Sequence, residues 1–189
     1  MLGKDYRGQE CSLARALEVI GERWTMLIVR DAFYGVRHFN DFRAHLDIPK
    51  AVLADRLDGL VGEGVLERIP DPGHGGRHLY ELTAAGRDLW PVVHALLVWG
   101  GRHRQANSLA FKHADCGTAL DDHSACPRCV VVPPPDAVLT EPVRLTGRSD
   151  PVAVALRRPH RLFQPLPLAG AEGGVAGPAG DASEHPGGL

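Results

Sequence analysis

The feature that most constrains the fold is the stretch from His38 to Leu82, in which short helical segments, a longer helix and a two-stranded hairpin follow one another. Apolar residues recur at helical spacing in the first part of this stretch and at the alternating spacing of strands in the last part. Helices and a hairpin in this order form a winged helix-turn-helix, whose usual partner is double-stranded DNA. The predicted fold class is therefore mainly α with a small β-hairpin.

The predicted recognition helix starts at Pro49, because proline is favoured in the first helical turn, and it ends near Gly62 and Gly64. The face opposite its leucines has small residues that allow close approach to base edges, and flanking cations that reach phosphates. The candidate DNA contacts here are Arg43, Pro49, Lys50, Ala51, Val52, Asp55 and Arg56. An ordinary amphipathic surface helix is the alternative, because Asp55 and Asp58 are acidic.

A hairpin is predicted after this helix, with strands at Val65–Ile69 and His78–Leu82. Residues 71–76, between the strands, are rich in glycine and include a proline, so they form a turn or a flexible loop. Arg77 and His78 lie near the tip, where a cation can enter a narrow minor groove or bind a phosphate. For Arg77, the alternative is a side chain that only solvates the loop.

Further helices are predicted on both sides of this region. The apolar spacing indicates helices at Ser12–Ile20 and Trp24–Phe33, and a short helix around Phe42. From Thr83 a long helical stretch follows, with a kink or a restart at Pro91. Its apolar side is larger than a small winged domain can cover, so we expect this stretch to pack against a second subunit in a homodimer.

Charge and composition argue against several other classes of protein. The 189 residues carry 21 Lys and Arg against 23 Asp and Glu, so DNA binding must depend on where the cations lie and not on net charge. The amino terminus has charges where a signal peptide has its apolar run, and no apolar stretch has the length of a membrane helix. We therefore expect a cytoplasmic protein without membrane association. No catalytic motif is found, which predicts that the protein is not an enzyme.

The four cysteines include a cluster with the spacing of a metal site. His113 and Cys116 form an H-x-x-C pair, and Cys126 and Cys129 form a C-x-x-C pair after a nine-residue spacer. Two such pairs supply four ligands to a structural zinc ion and leave no open position. His123, inside the spacer, is an alternative to His113. The alternatives to bound zinc are a ribbon that has lost its metal and a redox pair formed by the last two cysteines.

Composition divides the chain into three parts. Residues 1–107 hold nearly all of the periodic apolar sequence and form the predicted winged domain. Residues 108–148 form a short zinc-ribbon-like module, and its cysteine-bearing segment, about residues 112–133, is too short for a hydrophobic core and depends on its metal. Residues 149–189 are rich in Gly, Pro and Ala, with Phe163 as the one aromatic residue, so we expect a disordered tail.

Several of these motifs occur together in one known family. They are Cys11 before a helix, GERW at 21–24, RHFNDF at 37–42, IPKAVLADRL at 48–57 and YELT at 80–83. With these motifs in this order, the sequence resembles the HxlR-type transcriptional regulators from about residue 11 to residue 102. The resemblance implies a homodimeric winged helix-turn-helix repressor or activator. It also implies that the helix from Pro49 enters the major groove and that the first and last helices of the domain form the dimer interface.

The same resemblance makes Cys11 a candidate redox sensor. Some members of that family respond to thiol-reactive or oxidising compounds through a cysteine at this position. The alternative is a small residue that packs at the start of a helix. Two features depart from the family pattern: the glycine-rich wing at residues 73–78, and the chain beyond the usual end of the domain.

Two functions are consistent with the sequence. The first is a homodimeric, sequence-specific transcriptional regulator, expected to be a repressor, which binds double-stranded DNA and responds to a small-molecule or oxidant effector. The second is a dimeric adaptor whose cysteine-rich module binds another protein without specific DNA recognition. The neutral charge balance and the acidic residues Asp55 and Asp58 favour the second function.

Overall fold

The computed structural model describes residues 5–6, 8–73, 75–104 and 108–168. The first part of the chain contains α1 (Ser12–Ile20), α2 (Thr25–Phe33), α3 (Phe39–Leu46), α4 (Lys50–Gly62), β1 (Leu66–Pro70), β2 (His78–Leu82), α5 (Ala84–Arg87) and α6 (Trp90–Arg104). The second part contains β3 (Leu109–His113), a 3₁₀ turn (Pro135–Ala137), β4 (Val138–Pro142), α7 (Pro151–Ala155) and β5 (His160–Arg161). Within the described residues, no helix has the length and apolarity needed to span a membrane.

The helices of the first part lie close to where the apolar spacing predicts them. α2 begins one residue later than predicted, because Trp24 precedes it in a left-handed conformation with φ of 81°. Pro49 is the N-cap of α4 and has an extended backbone, so it is not the first helical residue. Pro91 lies in the first turn of α6, after the short helix α5. The chain therefore restarts a helix at this proline and does not kink one, as proline's preference for a first turn favours.

The hairpin has the predicted second strand, and its first strand is shifted by one residue. β1 pairs antiparallel with β2, with Leu66 opposite Leu82. Val65, predicted to start the first strand, instead donates its N–H to the carbonyl of Leu60 at 2.9 Å. It therefore belongs to the turn that ends α4.

The core is built around α2, which contacts α3, α4, α6 and β2. Ile28, Val29 and Phe33 of this helix are fully buried. The ring of Phe33 lies 5.3 Å from that of Trp90, centroid to centroid, which joins α2 to the start of α6. The neighbouring elements contribute the buried side chains Phe42, Leu46, Leu53, Leu57, Leu60, Leu66 and Leu82. This continuous apolar contact fixes the orientation of α4 relative to the rest of the domain.

A second sheet, with three antiparallel strands in the order β3, β4, β5, follows the first part of the chain. The expectation of a disordered tail from residue 149 is corrected for residues 149–168, which contain α7, β5 and an extended segment. Leu162 in this region is only 1% exposed. The average composition of this region did not predict such buried side chains, because they are scattered among Gly, Pro and polar residues. Residues 169–189, the rest of the predicted tail, lie outside the described residues.

The C-terminal segment, defined here as residues 149–168, packs against α2. The Phe163 N–H donates to the Phe33 carbonyl at 2.9 Å, and the two rings lie 5.3 Å apart between centroids. The Leu166 N–H donates to the Gly35 carbonyl at 3.4 Å. This segment therefore covers the end of α2 and becomes part of the same core.

The start of the C-terminal segment is bound to α3. The Asp150 carboxylate lies 2.7 Å from Nδ1 of His45, and it accepts the Ala153 N–H as the N-cap of α7. Burial alone would raise the pKa of Asp150, but hydrogen bonds from the Ala153 N–H, His45 and Arg148 lower this pKa to about 2. The carboxylate is therefore ionised at neutral pH and can hold α7 against the helix that precedes α4.

Gly35 tests the packing of the C-terminal segment. Its φ is +86°, and a Cβ atom there would lie 1.8 Å from the carbonyl oxygen of Gln164. Gly35→Ala adds backbone strain of about 1–3 kcal/mol and displaces the segment from α2. We expect a lower free energy of unfolding in denaturant titration and faster hydrogen exchange at the Phe163 amide.

Gly59→Ala is the matched control. A Cβ atom at Gly59, inside α4, meets nothing within 4 Å. This control should be neutral or should stabilise the fold by roughly 0.5–1 kcal/mol, because alanine suits a helix better than glycine. Equal free energies of unfolding for the two variants would contradict the packing described here.

Candidate DNA interface and candidate metal site

The outer face of α4 is the candidate DNA-contacting surface, because α4 is the helix that the sequence predicts to enter the major groove. Leu53, Leu57 and Leu60 bury the inner face of the helix. Lys50 and Ala51 are exposed, and Val52 is half-buried. The helix has no side-chain cap at Pro49, so backbone N–H groups of its first turn are available to a phosphate.

Two cations beside this helix end are exposed and unpaired. Among the described residues, the side chains of Arg43 and Lys50 have no hydrogen-bond or ion-pair partner, and both are exposed. Arg43 lies in the last turn of α3, and Lys50 is the first residue of α4. They flank the turn between the two helices, where a DNA phosphate would accept their charge.

Arg56, by contrast, is bound within the protein. Its Nη2 lies 2.9 Å from Oε2 of Glu22, its Nη1 lies 2.5 Å from Oδ2 of Asp55, and its Nε donates to the Arg23 carbonyl at 3.3 Å. These contacts join α4 to the loop before α2. No local sequence pattern predicts these contacts, because Glu22 and Arg56 are 34 positions apart.

Acidic residues on the outer face of α4 are neutralised by arginines. Asp55 is paired with Arg56, and Asp58 forms an ion pair with Arg68 of β1. The Arg68 guanidinium also lies over the ring of Tyr80, at 5.6 Å from its centroid. Each of the two aspartates that favoured an ordinary surface helix therefore has an arginine partner, although Arg56 is shared between Asp55 and Glu22.

The hairpin tip is bound to the start of α3 through Asp71. The Asp71 Oδ1 accepts the Gly73 N–H at 2.9 Å, and Oδ2 lies 3.2 Å from Nε2 of His38. The Asp71 N–H donates to the Arg77 carbonyl at 3.0 Å, which closes the loop. Arg77 and His78 are exposed and have no side-chain partner among the described residues. The glycine-rich wing is thus anchored at its base and presents two cationic or titratable side chains.

The second candidate site brings together His113, Cys116, Cys126 and Cys129. One nitrogen of the histidine and the three sulfur atoms all lie within 4.8 Å of one another. His113 ends β3, and Gly117, with φ of 69°, turns the chain after Cys116. His123 is exposed and is not one of the four residues that converge.

The distances suit one metal ion between the four side chains. Cys116 Sγ lies 3.4 Å from Cys126 Sγ and 3.5 Å from Nδ1 of His113. Sulfur atoms around a tetrahedral zinc ion are about 3.8 Å apart, given a zinc–sulfur bond of about 2.3 Å. Nε2 of the same histidine lies 3.5 Å from the Asp115 carboxylate, the kind of contact that orients a metal-binding imidazole. The cluster is therefore able to bind a metal ion with no open position.

The charge distribution in the cluster also favours a cation. Hydrogen bonds from the Thr118 hydroxyl and N–H lower the pKa of Cys116 to about 6. The neighbouring Cys116 sulfur, together with burial, raises the pKa of Cys129 to about 11. A bound divalent cation would remove this repulsion between sulfur atoms, because metals bind cysteine as the thiolate.

The loop that carries the cluster is attached to α6. The hydroxyl of Ser124 lies 2.9 Å from Nδ1 of His94, and both residues are buried. On the surface nearby, Arg102 of α6 forms an ion pair with Asp122. The cysteine cluster is therefore continuous with the last helix of the winged part, although the chain between them includes residues outside the described ranges.

Cys11, the candidate sensor, is exposed and is the N-cap of α1. The N–H groups of Ala14 and Leu13 lower the pKa of its thiol. Arg15, in the same helix, is bound to Glu18 at 2.7 Å. Among the described residues, the backbone N–H groups at the helix terminus are therefore the source of thiolate stabilisation.

Comparisons with known proteins agree with this architecture. A family model described as HxlR-like helix-turn-helix matches residues 19–108. An uncharacterized HTH-type transcriptional regulator of Mycobacterium tuberculosis is 40% identical over 121 residues, which cover 62% of this chain and 77% of the relative. The HTH-type regulator YvaP of Bacillus subtilis is 33% identical over 86 residues, covering 45% of this chain and 80% of that protein.

A solved structure shows the same likeness in three dimensions. The crystal structure of PA1607, described as a candidate transcription factor, superposes with a TM-score of 0.57 at 36% identity. The match covers 62% of this chain and 84% of PA1607. The winged helix-turn-helix predicted from the sequence is thereby confirmed, and these relatives are named as regulators of transcription. The chain belongs to the HxlR-like helix-turn-helix family of DNA-binding transcriptional regulators.

Proposed function

We propose that the protein is a homodimeric repressor that binds a specific operator with α4 in the major groove and the hairpin against the adjacent backbone. The observation that carries this proposal is the outer face of α4, where an uncapped helix end, the unpaired cations Arg43 and Lys50, and small side chains lie together. Repression requires only that the protein occupy an operator overlapping a promoter.

Each residue of this face has a different role in the proposal. Lys50 and Arg43 bind phosphates on either side of the groove, and Pro49 sets the entry of the helix. Ala51 and Val52 lie close to base edges, where a methyl group of thymine is a suitable contact. Asp55 and Arg56 are assigned a positioning role. Arg56 forms ion pairs with both Asp55 and Glu22, and the pair with Glu22 holds α4 against the loop before α2.

The wing is proposed to contact the backbone or the minor groove through Arg77 and His78. Both side chains are exposed at the end of a hairpin that Asp71 and His38 hold in position. A cation on a projecting hairpin suits a narrow minor groove, whose potential is strongly negative.

Dimerisation is supported by the exposed apolar side chains of α1, α2 and α6, which we call the apolar surface. The large apolar side chains exposed there are Leu13 (65%), Leu17 (38%), Leu27 (39%), Val92 (42%), Leu96 (52%) and Trp99 (54%). A monomer rarely leaves so many large apolar groups in water, and a second copy is the occupant we assign. Two copies related by a two-fold axis would place their recognition helices in successive major grooves, about 34–36 Å apart.

The cysteine cluster is proposed to hold a structural zinc ion. Four closed ligands of the types that zinc prefers converge without a site for water, so the ion would stabilise the loops and not catalyse a reaction. In this proposal, the metal keeps Ser124 in position against His94 and so holds the module on α6.

Lys50→Ala should weaken binding to the selected operator about tenfold, because one phosphate contact is lost. The dependence of log affinity on log salt should fall by about 1, and the thermal midpoint should not change. Fluorescence anisotropy at several salt concentrations measures both quantities. Lys112→Ala, in β3, removes the same charge from a different surface and should bind the operator as the parent protein does.

A second substitution tests the dimer, by sedimentation and by operator affinity. Leu96→Asp places a charge in the apolar surface, so we expect a monomer in sedimentation and a loss of operator affinity. Val132, also exposed, at 62%, but outside this surface, provides the control Val132→Asp, which should remain a dimer. Equal affinity of the parent protein for random DNA would reject the operator proposal and favour the adaptor.

Cys126→Ser should abolish metal binding. The parent protein, purified without chelator, should contain about one zinc per chain by mass spectrometry, and the variant less than about 0.2. His123→Ala is the control, because His123 is not among the converging residues, and it should retain the metal. The cluster would not be a zinc site if the parent protein contained no stoichiometric metal.

Cys11 is proposed to transmit an oxidant signal. Its exposed thiol at a helix terminus favours the thiolate, which is the form that reacts. Treatment with diamide should lower operator affinity at least about threefold in the parent protein and leave Cys11→Ser unchanged. The cluster thiols are present in both proteins, so an equal loss in both would assign the response to another residue.

A further inference from the structure

A cleft of about 750 Å³ lies between the winged part and the chain that follows it, residues 108–157. Its walls come from α2 and α6 on one side, and from β3, the chain after β4 and α7 on the other. The apolar side chains that line it include Leu27, Leu97, Leu109, Phe111, Leu120 and Leu156. Pockets of about 300–1,000 Å³ with apolar walls and a few polar groups are typical of small-molecule sites.

The charged residues of the cleft are all cationic. Arg30, Arg144, Arg148 and Arg157 line it, and no acidic residue is among the described lining residues. Two of the four are neutralised from outside the cleft, since Arg30 is paired with Asp31 and Arg148 with Asp150. Among the described residues, Arg144 has no side-chain partner, and Arg157 donates only to the Arg148 carbonyl. The cleft therefore has an excess of positive charge beside apolar walls.

A tyrosine hydroxyl group reaches the cleft. Tyr34 lines the cleft and is only 4% exposed, and its hydroxyl has no hydrogen-bond partner among the described residues. Burial raises the pKa of Tyr34 to about 12, so the hydroxyl stays protonated and can donate. The hydroxyl is not fully enclosed by the protein, so water in the cleft reaches it and a ligand oxygen can replace that water.

We infer that this cleft binds an organic carboxylate with an aromatic or alkyl body, and that its occupancy changes the affinity of the protein for DNA. The apolar walls bury the body of the ligand, Arg144 and Arg157 balance the carboxylate charge, and Tyr34 donates a hydrogen bond to a ligand oxygen. A highly charged phosphate compound is a poorer fit, because most of the lining is apolar and could not replace its water.

The effect on DNA binding rests on the proposed function and on which structural elements line the cleft. Leu27 and Leu96 line the cleft and also belong to the apolar surface assigned to the dimer. On the opposite wall, His45 belongs to α3 and is bound to Asp150. A ligand that fills the cleft therefore contacts elements that set the position of α4 relative to the second subunit.

The test is isothermal titration calorimetry of the full chain with 2-naphthoate and decanoate as probes. We expect saturable binding of at least one probe, and binding at least tenfold weaker for the uncharged 2-naphthylmethanol or decanol. Arg144→Gln combined with Arg157→Gln should weaken carboxylate binding at least tenfold, and Tyr34→Phe about threefold. Arg158→Gln is the matched control, because Arg158 is exposed and does not line the cleft.

Several outcomes would overturn the site. These are no binding of either probe at millimolar concentration, equal binding of the neutral analogues, or unchanged binding in the double arginine variant. Circular dichroism and the thermal midpoint of the ligand-free variants show whether a loss reflects unfolding; a variant that unfolds is replaced by Arg144→Gln alone, which should weaken binding at least threefold.

DNA affinity is measured separately, with and without saturating probe. A change of at least threefold in the parent protein, absent in the double arginine variant, supports regulation. Binding of the probe without any change in DNA affinity overturns the regulatory step alone. If the protein binds no DNA at all, the operator proposal fails while the calorimetry still decides the cleft.

Discussion

The packing of Phe33 is the contact on which both parts of the fold depend. Its ring lies 5.3 Å from Trp90 on one side and 5.3 Å from Phe163 on the other, and its carbonyl accepts a hydrogen bond from the C-terminal segment. Each aromatic pair contributes about 0.5–1.5 kcal/mol beyond the burial of its area. Because α2 is shared in this way, the winged domain and the chain beyond it form one core, and α4 is oriented by both.

The charge of the proposed DNA-facing surface depends on which side chains form ion pairs there, and not on the net charge of the chain. The chain as a whole has a net charge of −2, which by itself does not attract a polyanionic partner. On α4, however, Asp55 is paired with Arg56 and Asp58 with Arg68, while Lys50 beside the helix end has no partner among the described residues. The field that a phosphate meets is therefore set by the few unpaired cations, which composition cannot reveal.

The sequence predicted what is encoded locally. Periodic leucines, glycines and prolines located α1 to α4 and the hairpin, and they indicated a kink or a restart at Pro91, because these signals act within a few residues. Contacts between distant positions were missed: the Glu22 partner of Arg56, and the burial of Leu162 in a region that composition described as disordered. The choice between His113 and His123 depended on how the chain turns at Gly117, which spacing alone does not fix.

The C-terminal part of the chain is attached to two helices with different tasks. Ser124 is hydrogen-bonded to His94 on α6, and Asp150 is hydrogen-bonded to His45 on α3. In a dimer formed through α1 and α6, the angle between α6 and the α3–α4 pair sets the separation of the two recognition helices. Attachment at both places restricts this angle, so such a dimer would tolerate little variation in the number of base pairs between half-sites. The C-terminal part would in this way take part in the choice of operator.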